Sequence, residues 1–264
     1  PILPENTATN DVNKLVFNGL TRVNTERNIE SDLAESWEVS ADQKAYTFYL
    51  RKDVLWHDGK PFTAKDVAFT VAAIQNPDSR SPLAPNWQGI KYGIINDATI
   101  KFTLPNCYTS FLSATTVGIL PHHLLDSIRL STLRINPFSQ QPIGTGPYKL
   151  DNLGDDSGLI VLKANAQYFR GRPMIGEVHF ALYPNPAALL AGYARKQILG
   201  ISELNPDQLE LARKNDSLTI NAFSLPAYVG LFFNTKTPYL SDAATRQALA
   251  RAIDRDRIID GALS

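Results

Sequence analysis

Apolar positions change period several times along the chain, and each change marks an element. Tyr46, Phe48 and Leu50 alternate with Thr47, Tyr49 and Arg51, the period-two pattern of a strand with one face buried. Trp37 to Val39 precedes it across Ser40-Ala41-Asp42-Gln43, which predicts a hairpin. Asp58-Gly59 predicts a turn. Thr63, with Asp66 three residues on, predicts a capping box that opens a helix. Val67, Val71 and Ile74 share one face of that helix, and Asn76-Pro77 stops it. Residues 76–89, rich in Pro, Ser and Asn, read as a loop, and Ile100, Phe102 and Leu104 as another strand.

The second half follows the same habits. Asn185-Pro186 and Asn205-Pro206 each offer an N-cap followed by a pre-set first helical residue. Ser241 reads as the cap of a further helix, with Ala244, Ala248 and Ile253 near one face and Arg246 and Arg251 outside. Strands are expected at 159–164, 177–183, 218–223 and 228–233, the last nearly all apolar, as for a strand covered on both faces. Strands and helices mixed without strict alternation predict an α/β fold with an α+β insertion.

Composition narrows the function. The 264 residues carry 26 Lys+Arg against 26 Asp+Glu. A zero net charge without a basic cluster argues against a nucleic-acid partner, because phosphate contact needs a surplus of cations on one face. No stretch approaches the roughly 18–20 apolar residues that span a bilayer. One cysteine, Cys107, rules out an internal disulfide framework and a Cys-rich zinc site. The chain opens at Pro1 without a leader pattern and ends inside an amphipathic segment begun at Asp254, so a piece of a longer protein is expected.

Candidate chemistry is sparse. Of His57, His122, His123 and His179, the adjacent His122-His123 point to different sides of a helix and cannot chelate as an i,i+4 pair would, so no metal site is expected. Gly144-Thr145-Gly146 has the look of a dinucleotide loop. It is followed by Pro147 and a strand-like Tyr148-Lys149-Leu150, however, not by a helix whose N-terminus holds a pyrophosphate. Cys107 has no identifiable His partner, and Asn215-Asp216-Ser217 matches a glycosylation acceptor too short to carry weight. Asp155-Asp156 reads as a solvated turn and is the sole motive for an enzyme reading. A binding protein without cofactor or catalysis is the expectation.

From Ala34 to Gly59, the residues Ala34, Asp42, the alternating strand through Leu50, then Arg51, Asp53 and Asp58-Gly59 fall at a distinctive spacing. This segment resembles the signature of the bacterial extracellular solute-binding proteins of family 5, the oligopeptide, dipeptide and nickel receptors of ABC importers. Phe17 to Thr21, Pro61 to Val67, Gly144 to Tyr148, Phe233-Asn234, Arg246 to Leu249 and Ala252 to Arg255 resemble further family segments. One departure is Lys196-Gln197-Ile198-Leu199, where the family's helix usually ends in Gly-Glu-Ile-Asp.

The resemblance implies a first lobe like that of type II periplasmic binding proteins, with the second lobe truncated. Residues 1–36 and 140–230 are expected to form that α/β lobe, 37–139 an inserted α+β subdomain, and 231–264 the start of the second lobe. It further implies a hinged clamp that closes over an oligopeptide or other small solute and is read by ABC transporter permease subunits. The location implied is periplasmic or extracellular, at the membrane. Ligand contacts are expected at Asn18, Gly19, Leu20, Thr21, Gly144, Thr145, Gly146 and Tyr228. Missing Cβ atoms at the three glycines either let a ligand approach the backbone or only satisfy turn geometry. Residues 228–234 are expected to cross between lobes, with Tyr228 facing the cleft or packing, and Trp87 lines the cleft mouth or packs in its loop. The alternatives are a nickel, haem or other small-solute receptor of the same family, and the sensing module of a cytoplasmic winged-helix regulator.

Overall fold

The computed structural model describes residues 1–3, 7–153, 158–202, 204, 206–213, 218–221 and 230–258. The chain forms two compact units, 1–182 and 183–264.

The first unit opens with helix α1 (Thr7–Val16), followed by a two-stranded ribbon, β1 (Thr21–Val23) with β2 (Ile29–Ser31). β3 (Ala34–Val39) and β4 (Ala45–Leu50) form the expected hairpin, and β4 buries alternate residues as its pattern requires. Helix α2 (Ala64–Gln75) follows, then the short helix α3 (Ala84–Trp87), β5 (Lys91–Asn96) and β6 (Thr99–Thr103). The sheet order is β3-β4-β6-β5, antiparallel throughout. Short helices α4 (Phe111–Ala114), α5 (His122–Leu125) and α6 (Pro137–Gln140) lead to a second antiparallel sheet of β7 (Tyr148–Asn152), β8 (Leu159–Ala164) and β9 (Glu177–Ala181).

Helix α2 begins where the sequence placed it. Thr63 Oγ1 accepts from Lys65 N, while the Asp66 carboxylate accepts from Thr63 N at 2.8 Å, so cap and box are both formed. Val67, Val71 and Ile74 are fully buried where α2 packs on β5 and β6, each contributing on the order of 1.5–3 kcal/mol. The core of this layer is aromatic. Phe111 lies 4.8 Å from Tyr46, 5.6 Å from Phe102 and 5.7 Å from Trp87, centroid to centroid, and is wholly buried. A smaller core of Val12, Val16, Phe17, Tyr148 and Leu162 joins α1 to the second sheet, and Phe138 packs against both cores.

The structure departs from the sequence reading at several points. Helix α1 had no counterpart in it, because only Val12, Leu15 and Val16 of its apolar residues recur on a helical period among Thr and Asn. The loop 76–89 holds a 3-10 turn at Pro77–Ser79 and α3, built on Pro77 and Pro85 at early helical positions. Trp87 belongs to the core at 2% exposure, so packing is its role.

In the second unit, α7 (Pro186–Ala194) is capped by Asn185, which accepts from Ala188 N at 2.9 Å. α8 (Pro206–Arg213) starts after Asn205, which lies outside the described residues. α9 (Pro238–Ser241), α10 (Ala243–Ala252) and α11 (Arg255–Ile258) follow. The cap of α10 is Asp242, not Ser241. Its carboxylate accepts from Thr245 N at 2.8 Å, while Ser241 closes α9 by donating to Pro238 O. The facing of α10 differs in part: Ala244 and Ala248 are exposed and Arg246 folds back to donate to Leu240 O and Ser241 O, while Arg251 is exposed as expected. Residues 218–221 and 230–233 are not strands, and the rest of those two expected strands lies outside the described residues. A strand needs a ladder partner. Among the described residues of 183–264, no strand is present to supply one.

Candidate functional site

Two of the expected loops meet in the first unit. Asn18 to Thr21 leave the end of α1 held from both sides: Ile119 N donates to Asn18 O at 2.9 Å, Leu20 N to Thr115 O at 3.0 Å and Leu33 N to Gly19 O at 3.1 Å. Gly144 to Gly146 lie against the last turn of α1, where Gly146 N donates to Val16 O at 2.8 Å. All seven residues of the two loops are buried.

The glycines have a physical cause in how closely the chain packs on itself. A Cβ on Gly144 would stand 1.8 Å from Val16 O, one on Gly146 2.4 Å from Leu15 O, and one on Gly19 2.6 Å from the Thr116 carbonyl carbon. Positive φ occurs at Gly59, Gly89, Gly158 and Gly171 but at none of these three. What they permit is close approach of the chain to itself.

A buried polar chain joins the loops. Thr145 Oγ1 donates to Asn18 Oδ1 at 3.2 Å, and Asn18 Nδ2 donates to Asp32 Oδ2 at 2.8 Å and to Tyr168 Oη at 3.2 Å. Asp32 is 2% exposed, with Arg170 Nη2 3.3 Å from Oδ1. That Oδ1 makes no hydrogen bond of good geometry. Burial raises the Asp32 pKa against the opposing pull of the Asn18 bond and the Arg170 and Arg22 charges. Burial likewise raises that of the Tyr168 phenol. Thr21 turns the other way, sharing a hydrogen with Thr115 Oγ1 at 2.7 Å.

A histidine locks the second loop. His57 Nδ1 accepts from Gly144 N at 3.2 Å, His57 Nε2 lies 3.0 Å from Gly146 O, and His57 N donates to Gly144 O at 2.8 Å. Because Nδ1 accepts, the ring proton sits on Nε2 and donates to Gly146 O. Burial lowers the His57 pKa to about 4. Lys149 Nζ donates to His57 O and Asn165 Nδ2 to Gly146 O.

At the rim, Arg51 and Arg170 lie 5.4 and 5.5 Å from the ring centroid of Phe169, and Arg51 Nε donates to Asp32 O at 2.9 Å. Arg22 pairs with Glu30 across the β1-β2 ribbon. The structure thus brings Asn18 and Thr145 into contact and keeps Thr21 in a separate pair. Tyr228 lies outside the described residues. Asp32, Tyr168, Arg170 and His57 are the members that sequence reasoning did not reach. They come from three separated segments, so no spacing announces them. His122 and His123 have ordinary roles: His122 packs on Phe69, and His123 Nε2 meets Asp58 Oδ2 at 2.8 Å. Among the described residues, no group of three or more His, Cys, Asp or Glu is placed to hold a metal.

The comparisons fit this architecture. Residues 28–264 match the profile of the bacterial extracellular solute-binding proteins, family 5 (middle region). The chain belongs to that family of solute-binding proteins. The oligopeptide-binding protein AppA of Bacillus subtilis is 29% identical over 264 residues, covering 97% of this chain and 48% of its own. The dipeptide-binding protein of Escherichia coli is 31% identical over 250 residues, covering 86% and 46%. The structure of NikZ from Campylobacter jejuni with Ni(L-His) superposes with a TM-score of 0.78 at 34% identity, covering 95% of this chain and 50% of that one. The chain spans about half the length of the curated relatives it matches. Among the described residues, no helix is long and apolar enough to cross a membrane.

Proposed function

We propose that this chain is the first-lobe part of the capture subunit of an ABC importer, and that the cargo is an oligopeptide. Membership of the solute-binding family carries the reading, since relatives of 29% and 31% identity are named for oligopeptide and dipeptide binding. In this proposal residues 1–36 and 140–230 make the lobe, 37–139 its inserted subdomain and 231–264 the beginning of the partner lobe. The protein works outside the cytoplasm, docks on permease subunits, and releases its solute unchanged.

Within the lobe, the two loops at Asn18–Thr21 and Gly144–Gly146 form the floor of the cleft. Their buried hydrogen bonds fix the floor, and the Arg51-Phe169-Arg170 stack forms its rim. An extended peptide held by main-chain hydrogen bonds suits such a receptor, because that mode tolerates many side chains. Rival cargoes are favoured by the 34% identity to a receptor solved with Ni(L-His) and the 27% identity to a protein named for haem binding. Native mass spectrometry of the complete gene product, purified without refolding, decides between them. A ladder of peptide masses supports the proposal. A nickel chelate or haem in their place overturns the cargo assignment, and turnover of the bound molecule overturns the binding role.

A further inference from the structure

We propose that His57 is a positioning residue for the Gly144–Gly146 loop, holding it only as the neutral imidazole, and that acidification releases the loop locally. The ring's two nitrogens address the same tripeptide in opposite senses: Nδ1 accepts from Gly144 N–H and Nε2 donates to Gly146 O. A second proton on the ring has one place to go, Nδ1, and there it points N–H at N–H. The acceptor is gone and a like dipole replaces it. The other end of the tripeptide does not depend on the ring, since Asn165 Nδ2 also serves Gly146 O and Val16 O holds Gly146 N. Gly144 N–H is therefore the group that loses its partner.

The charged groups around the ring are few. Lys149, on β7, places its ammonium on the His57 carbonyl at 3.0 Å and disfavours a second positive charge nearby. Asp58 favours that charge, but its carboxylate is engaged by His123 from α5 at 2.8 Å and by Lys60 N. Burial outweighs it and lowers the His57 pKa to about 4 from an ordinary 6.5. Between pH 7 and pH 4.5, those two values raise the ratio of released to held loop about 50-fold if the released ring titrates normally. Thr145, at the middle of the loop, carries the effect to Asn18. A looser cleft floor in acid is the functional consequence, and only that consequence rests on the reading proposed above.

The test is site-resolved hydrogen exchange by NMR on the 264-residue chain, corrected for intrinsic exchange, together with ¹⁵N shifts of the His57 ring. The expectation is an Nε2–H tautomer at neutral pH, and Gly144 amide protection that falls about 50-fold by pH 4.5 and stays well below that of the β4 and β6 amides, which exchange through global unfolding. His57→Asn keeps an acceptor near Nδ1 without a titrating proton, so it should hold Gly144 protection constant across the range. His57→Gln keeps the donor alone and should leave Gly144 unprotected at every pH. Unchanged Gly144 protection in the wild type, or Gly144 protection equal to that of β4 and β6 at pH 4.5, overturns the inference. Failure of peptide capture by the complete gene product would instead sink the functional reading and leave this result standing.

Discussion

At the residue scale, Asn18 and His57 carry the most physical chemistry. Asn18 uses both ends of its amide, and its bond to Asp32 is one to a buried carboxylate, a kind worth about 1.5–3 kcal/mol. Asn18→Ala should therefore lower the unfolding free energy by about 2 kcal/mol in urea titration. A loss under about 0.5 kcal/mol would show that the Thr145-Asn18-Asp32 chain is not coupled to stability. His57 sets a pH dependence. Its folded pKa lies below the unfolded value of 6.5, so its contribution is complete above about pH 6.5 and is lost as pH falls toward 4. The full span is about 3 kcal/mol. Asp32 runs the opposite way, because a raised carboxylate pKa adds stability as the pH falls through the carboxylate range. Denaturant midpoints from pH 7 to pH 5 should thus decline in the wild type and flatten in His57→Gln. Parallel slopes in the two would refute the assignment.

Among the elements, legibility followed locality. The β3-β4 hairpin and α2 were readable because cap, turn and alternation lie within a few residues of one another. Thr63→Ala should remove the capping box at a cost of about 1 kcal/mol, measured by thermal melting. Phe111→Ala should cost about 3–5 kcal/mol, since it opens the centre of the aromatic layer. A small effect at Phe111 would mean that the two sheets, not the aromatic layer, hold the first unit together. Signals were lost where an outcome depends on distant partners. The run 230–233 has the composition of a buried strand and no ladder neighbour in its own unit among the described residues. Arg246 left the solvent face of α10 because carbonyls at the end of α9 accept from its guanidinium. The candidate site was half legible for the same reason. Its glycines stood out in sequence, but their cause, the carbonyls of Leu15, Val16 and Thr116, sits more than a hundred residues away for Gly144 and Gly146.

At the scale of the whole molecule, the family match and the half-length coverage of relatives describe a binding lobe whose counterpart lies elsewhere in such proteins. A clamp gains affinity by closing, because ligand binding is what separates the open and closed free energies. One lobe alone offers part of the contact and none of the closure. Calorimetric titration of a nonapeptide into the 264-residue chain and into the complete gene product tests this most directly. The account predicts a dissociation constant of about 1 µM or tighter for the complete protein, and affinity at least about 100-fold weaker for this chain. Equal affinity in the two, or no binding by the complete protein, would contradict it.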